Sequence, residues 1–160
     1  MKKRIVAIML LLLIFCVESI GMNMDVSAEG IGESKDVDYS YFLGNKALFG
    51  YTDSQTRGVY LASGDSAISK INSYTIGAAG NTNAAIRCKV SVAVIVEKYD
   101  MERDLWLFVT SWTKTNENAF TAGISKSLIV DSGYYYRVRS SHYAGSDASS
   151  SCTNALYVGK

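Results

Sequence analysis

The sequence holds one histidine, His142, and three cysteines, Cys16, Cys88 and Cys152. Any Ser-His-Asp or Cys-His arrangement must therefore use His142. The sharpest catalytic idea is a Cys88–His142 dyad. If the strand of Cys88 pairs antiparallel with the strand of Tyr134, both residues meet at one rim of the domain. Against it stands a simpler reading, a disulfide-bonded or buried Cys88 with His142 solvated at a strand end, because a secreted thiol enzyme must keep its cysteine reduced. No Gly-x-Ser-x-Gly, His-Glu-x-x-His or phosphate-binding glycine loop is present. A zinc site would need His142, both cysteines and a carboxylate, without any paired Cys-x-x-Cys spacing. Asp100, Glu102 and Asp104 cluster in one turn but lack the glycine and distal glutamate of a calcium loop. The chemistry thus predicts no catalytic residue, no cofactor and no metal.

A second set of residues suits recognition. Tyr135, Arg137, Arg139 and Tyr143 share one parity along a predicted strand, with Arg87 and Lys89 as candidates on a neighbour. Tyrosine and arginine combine rigid contact area with hydrogen-bonding tips and charge. The same residues also suit an exposed strand, their stems covering apolar surface. The expectation is a binding or adhesive face for a cell-surface glycan or a protein. A third class, a secreted antagonistic peptide acting on membranes, lacks the amphipathic basic helix it would need.

The N-terminus places these residues in a compartment. Lys2, Lys3 and Arg4 precede an uncharged apolar run from Ile5 to Val17, and Val26-Ser27-Ala28 offers small residues for signal peptidase. The run is short of the ~20 residues that span a bilayer, and Phe15 before Cys16 argues against a lipid anchor. Residues 1–28 read as a cleaved signal peptide, so the mature protein is expected outside the cell without stable membrane insertion. Removing Lys2, Lys3, Arg4, Glu18 and Asp25 from 16 basic and 15 acidic residues leaves thirteen of each. A neutral domain has no general pull on nucleic acid. In an oxidising compartment Cys88 and Cys152 are expected to form a disulfide. It would close a loop of 64 residues, on the order of 4 kcal/mol by chain entropy. Oligomeric state is not legible.

The elements that must position these residues are strands. Residues 29–57 read as a flexible arm, in which Tyr39-Ser40-Tyr41-Phe42-Leu43 packs at most locally. From Gly58 the pattern has a period of two. Ile86, Cys88, Val90, Val92, Val94 and Val96 alternate with Arg87, Lys89, Ser91 and Glu97, the signature of a half-buried strand. Asp100 to Asp104 is a charged turn, Leu105 to Thr113 a strand, and Lys114 to Asn118 a polar return into Phe120 to Val130. Asp131-Ser132-Gly133 is a tight turn, Ala144 to Ser151 a small-residue loop, and Thr153 to Val158 a closing strand. About seven strands over residues 58–160 predict an all-β domain, a single sandwich.

Two resemblances sharpen this reading. Leu128-Ile129-Val130-Asp131-Ser132-Gly133-Tyr134-Tyr135-Tyr136-Arg137-Val138-Arg139 resembles the sixth strand of fibronectin type III and other immunoglobulin-like domains. There a tyrosine after a tight turn anchors the corner through its hydroxyl. The resemblance implies Tyr134 as the corner residue. Residues 58 to 158 also look like a family of small secreted bacterial proteins of unknown function. That likeness rests on the valine-rich strand, Ser111-Trp112-Thr113-Lys114, Gly133 to Arg139 and Thr153-Asn154-Ala155-Leu156-Tyr157-Val158. It implies a secreted β-sandwich and nothing about activity.

Overall fold

A computed structural model describes residues 47–53 and 58–160. Residues 1–28, expected to be a signal peptide, and most of the expected arm lie outside the described residues. Those residues form an all-β domain of seven strands, with no helix among them. They are β1 (Ala47–Tyr51), β2 (Leu61–Asn72), β3 (Thr75–Asp100), β4 (Leu105–Ile129), β5 (Tyr134–Ala144), β6 (Asp147–Cys152) and β7 (Leu156–Val158).

All pairings are antiparallel and build one sheet in the order β1-β2-β3-β5-β6, with β4 on β3 and β7 on β5. β3 and β4 are long enough to serve two halves of this sheet. The first part of β3 pairs with β2 from Thr75 to Ala84, and its second part pairs with β5 from Val90 to Lys98. β4 accompanies both parts. Between them the register slips, so that Asn83 faces Thr121 while Cys88 faces Ala119. Extra residues on one strand bend it and increase its twist. Asn118, with φ of 47°, marks the same bend on β4. The bend folds one half of the sheet over the other, and the structure becomes a nearly closed, barrel-like sheet.

The alternation read from the sequence determines which face is buried. Val90, Val92, Val94 and Val96 are fully buried; the last three meet Ile68, Ile76, Ala78, Tyr136, Val138 and Val158 in the main core, while Val90 joins Leu61, Ala84, Ala122 and Ala144 in a second cluster. Small residues let the halves approach. A side chain at Gly80 would meet Val94 Cγ2 at 2.8 Å and Ser140 Oγ at 2.7 Å. A side chain at Gly50 of β1 would run into the Cys152 carbonyl of β6, which shows how closely the outer strands come together. Asp147 of β6 ties the halves further, accepting the backbone N–H groups of Tyr60 at 2.5 Å and Leu61 at 3.0 Å.

Several expectations change. Residues 47–51 are not arm but strand β1, paired with β2; five residues with little period carry too weak a pattern to be read. The polar stretch 114–118 continues β4, because β3 supplies a partner along its whole length. The small-residue loop 144–151 is mostly β6, formed after the turn at Gly145. The charged turn at 101–104 is where it was expected.

The Cys88–Cys152 disulfide is absent, and both cysteines are free. Cys152 faces Arg139, which faces Ile95 on β3, seven residues from Cys88. At about 3.3 Å per residue this places the two cysteines on the order of 20 Å apart along the sheet, against the ~7 Å that a disulfide tolerates.

Candidate functional site

Two polar constellations stand out, one sealed in the core and one on the outer face of β3, β4 and β5. The sealed one centres on His142. Its position on β5 opposite Val92 points the ring inward, and it is fully buried. Gly64 on β2 leaves the space the ring fills, since a Cβ there would overlap it. Thr82 has one hydroxyl proton and donates it to the Ser91 carbonyl at 3.0 Å. Thr82 Oγ1 therefore accepts from His142 Nδ1–H at 2.8 Å. Nε2 is left as the acceptor and takes the Ser151 hydroxyl at 2.7 Å. Ser66 Oγ lies 2.5 Å from Ser151 Oγ and 2.8 Å from Ser140 Oγ. Burial without any anionic partner lowers the His142 pKa to about 4, so the imidazole is neutral at physiological pH.

This arrangement corrects the dyad and the solvated histidine alike. Both ring nitrogens are bonded to hydroxyls, and Cys88 is not among their partners. The Ser151–His142 contact has the length of a nucleophile–base pair, but the third position holds Thr82 rather than a carboxylate. Ser151 and His142 are both buried, so no substrate reaches them. The network is a packed polar core sealed from solvent. Its hydroxyls come from β2, β3, β5 and β6, and nothing in the sequence announces that these four strands converge there.

The outer constellation contains all four residues of the expected binding face. Tyr135, Arg137, Arg139 and Tyr143 alternate with buried Tyr136, Val138, Ser140 and His142 along β5 and so point away from the core. Glu97 of β3, directly opposite Arg137, organises the group. Its carboxylate accepts Arg137 Nε–H on Oε2 at 2.6 Å and Arg139 Nη2–H on Oε1 at 3.0 Å. The Glu97 side chain is only 8% exposed, whereas those of Arg137 and Arg139 are 26% and 49% exposed. Trp106 of β4 completes the cluster. The Arg137 guanidinium lies 4.2 Å from its ring centre, and the Tyr99 ring tilts against it at 5.2 Å. Tyr135 meets Tyr157 of β7 at 5.2 Å, with both rings exposed. Glu97, Trp106, Tyr99 and Tyr157 were missed as site residues. Glu97 had outward parity in the sequence, but its role depends on a cross-strand register that sequence does not specify.

Other candidates fall elsewhere. Arg87 stacks over Phe120 and donates to the Asn118 carbonyl at 3.0 Å, while Lys89 pairs with Glu117 at 2.7 Å. Both sit at the bend and serve β4 rather than the β5 face. The tyrosine whose hydroxyl reaches back over the turn is Tyr136, not Tyr134. Tyr136 is buried and donates its hydroxyl to the Asp131 carbonyl at 2.9 Å, and burial raises its pKa to about 12. Tyr134, two residues nearer the turn, is exposed and lies under the Lys98 ammonium instead. The Asp100 carboxylate accepts the backbone N–H groups of Glu102 and Arg103, and Asp104 takes the Tyr99 hydroxyl. The acids of that turn hold the turn itself. No cluster of metal-ligating side chains occurs among the described residues. Cys152 is exposed beside the arginine pair, but burial of its sulfur pushes the thiol pKa up rather than towards a reactive thiolate.

Residues 47–160 match a family of unknown function, DUF6147. No curated protein and no solved structure matches the chain.

Proposed function

We propose that this chain, which belongs to the DUF6147 family of unknown function, is a non-catalytic recognition module of bacterial origin that acts outside the cell and binds saccharide on the outer face of β5. Lys2, Lys3 and Arg4, the apolar run that follows them and the small residues at Val26-Ser27-Ala28 support an extracellular role. The observation that carries the binding reading is the Glu97-centred cluster. One buried carboxylate fixes two arginines on a strand face, and one of them is stacked on Trp106. Orientation is thereby fixed before any ligand arrives, which lowers the ordering cost of binding. Exposed tyrosine rings at the same end of the face offer flat apolar area with polar tips.

Burial of His142, with both ring nitrogens bonded to hydroxyls and neither to Cys88, disfavours a thiol or serine enzyme. The Tyr136 corner supports an immunoglobulin-like or fibronectin-like relation for the β5 half, within a domain that the bent β3 and β4 draw towards closure.

The test is a glycan array and a cell-envelope pull-down, comparing wild type with Tyr135→Ala/Arg137→Ala. Signals present in wild type and lost in the variant are expected. Identical profiles from the two proteins refute the assignment of the face.

A further inference from the structure

The charge on this face is not balanced, and the imbalance selects a ligand. Glu97 is the one carboxylate bonded to Arg137 and Arg139 among the described residues, so two guanidinium groups share a single negative charge. The two arginines are not equivalent. Arg137 is covered on one side by Trp106 and directs Nε to Glu97. Arg139 bonds Glu97 through Nη2 and is the more exposed of the pair.

The outward positions across from Arg139 carry no acid. Ile95 lies opposite on β3 and Cys152 on β6, and Ser141 is the next outward residue of β5. Of the other acids towards the turn end of β3 and β5, Asp131 is paired with Lys98 and the rest sit in the 100–104 turn. There Asp100 engages Arg103 and Asp104 engages Tyr99.

We infer that Arg139 is the anchor for the acidic group of a carboxylate-bearing polysaccharide. The polysaccharide would run along β5, with a sugar ring against Tyr135 and Tyr157. A guanidinium fork suits a planar carboxylate, with paired N–H donors and a charge-assisted bond. Side chains on one face of a strand repeat at about 6.7 Å, so Tyr135 and Arg139 stand roughly 13 Å apart, room for two or three sugar units in an extended chain. This inference rests on the recognition reading above and adds the charge class of the ligand and the residue that selects it.

The experiment is calorimetric titration of the purified protein with oligogalacturonate and with its methyl ester, in wild type, Arg139→Gln and Tyr135→Ala. Wild type is expected to prefer the free acid at least ten-fold, with affinity falling as salt rises. Arg139→Gln should abolish the preference and keep the weaker binding of the ester. Tyr135→Ala should weaken both ligands together. Equal wild-type affinity for acid and ester overturns the anion assignment while leaving saccharide recognition intact. A preference that survives in Arg139→Gln overturns the role of Arg139. Failure of wild type to bind either compound overturns the inference, and the array comparison then decides whether the broader reading falls with it.

Discussion

Acid should loosen this domain through His142, by an amount that follows from its burial. In the folded protein the imidazole is neutral, with its pKa lowered from 6.5 to about 4 by burial. In the unfolded chain it takes a proton near 6.5. The unfolded state therefore binds more protons between these values, and stability falls as pH drops. The contribution is complete above about pH 7 and fades through the window between 6.5 and 4. At 1.36 kcal/mol per pKa unit the loss is about 2 kcal/mol at pH 5 and about 3 kcal/mol at pH 4. Other groups titrate over the same range. Asp65, whose carboxyl pKa burial raises, acts in the opposite sense and favours the fold as pH falls. The informative quantity is thus a difference between two proteins. Urea unfolding followed by the fluorescence of Trp106 and Trp112, at pH 7, 5.5 and 4.5, compares wild type with His142→Gln, which hydrogen-bonds but does not titrate. The variant should be less stable at pH 7 and lose less stability on acidification. Parallel losses in the two proteins would refute the buried neutral histidine.

Other outcomes follow from single contacts. Gly64→Ala places a methyl group in the His142 ring and should cost about 1–3 kcal/mol by overpacking, seen as a lower urea midpoint. Tyr136→Phe removes the hydroxyl bond to the Asp131 carbonyl and should cost about 1 kcal/mol, whereas Tyr134→Phe at the exposed neighbour should leave the midpoint unchanged. In protein lacking residues 1–28, and so Cys16, iodoacetamide should add two groups after urea unfolding without any reductant, because Cys88 and Cys152 are both free. Labelling that appears only after reduction would restore the disulfide.

The valine alternation from Val90 to Val96 made the central strand and its buried face legible, and the 100–104 turn could be placed from its charges alone. The outward set of β5 was legible for the same reason, since parity is a local property of a strand. What was hidden is everything that depends on register and long-range bending. The sequence around 83–90 contains no proline or turn pair to mark the bend, which arises from unequal residue counts on β3 and β4. Without the bend, His142 looked like a strand-end residue and the two cysteines looked like partners. The corner tyrosine shows the limit at finer scale. Tyr136 and Val138 point into the core but Tyr134, at the turn, is exposed, and the residue whose hydroxyl reaches back to Asp131 lies two positions beyond the one expected.

Mapping the ligand footprint tests the central claim most directly. Backbone and indole N–H resonances of the labelled protein would be followed by NMR during titration with oligogalacturonate. The account predicts shifts concentrated at Tyr135, Arg137, Arg139, Tyr157 and the Trp106 indole, with the outward residues of β1 and β2 unmoved. Shifts centred on β1 and β2, or none at saturating ligand, would contradict it.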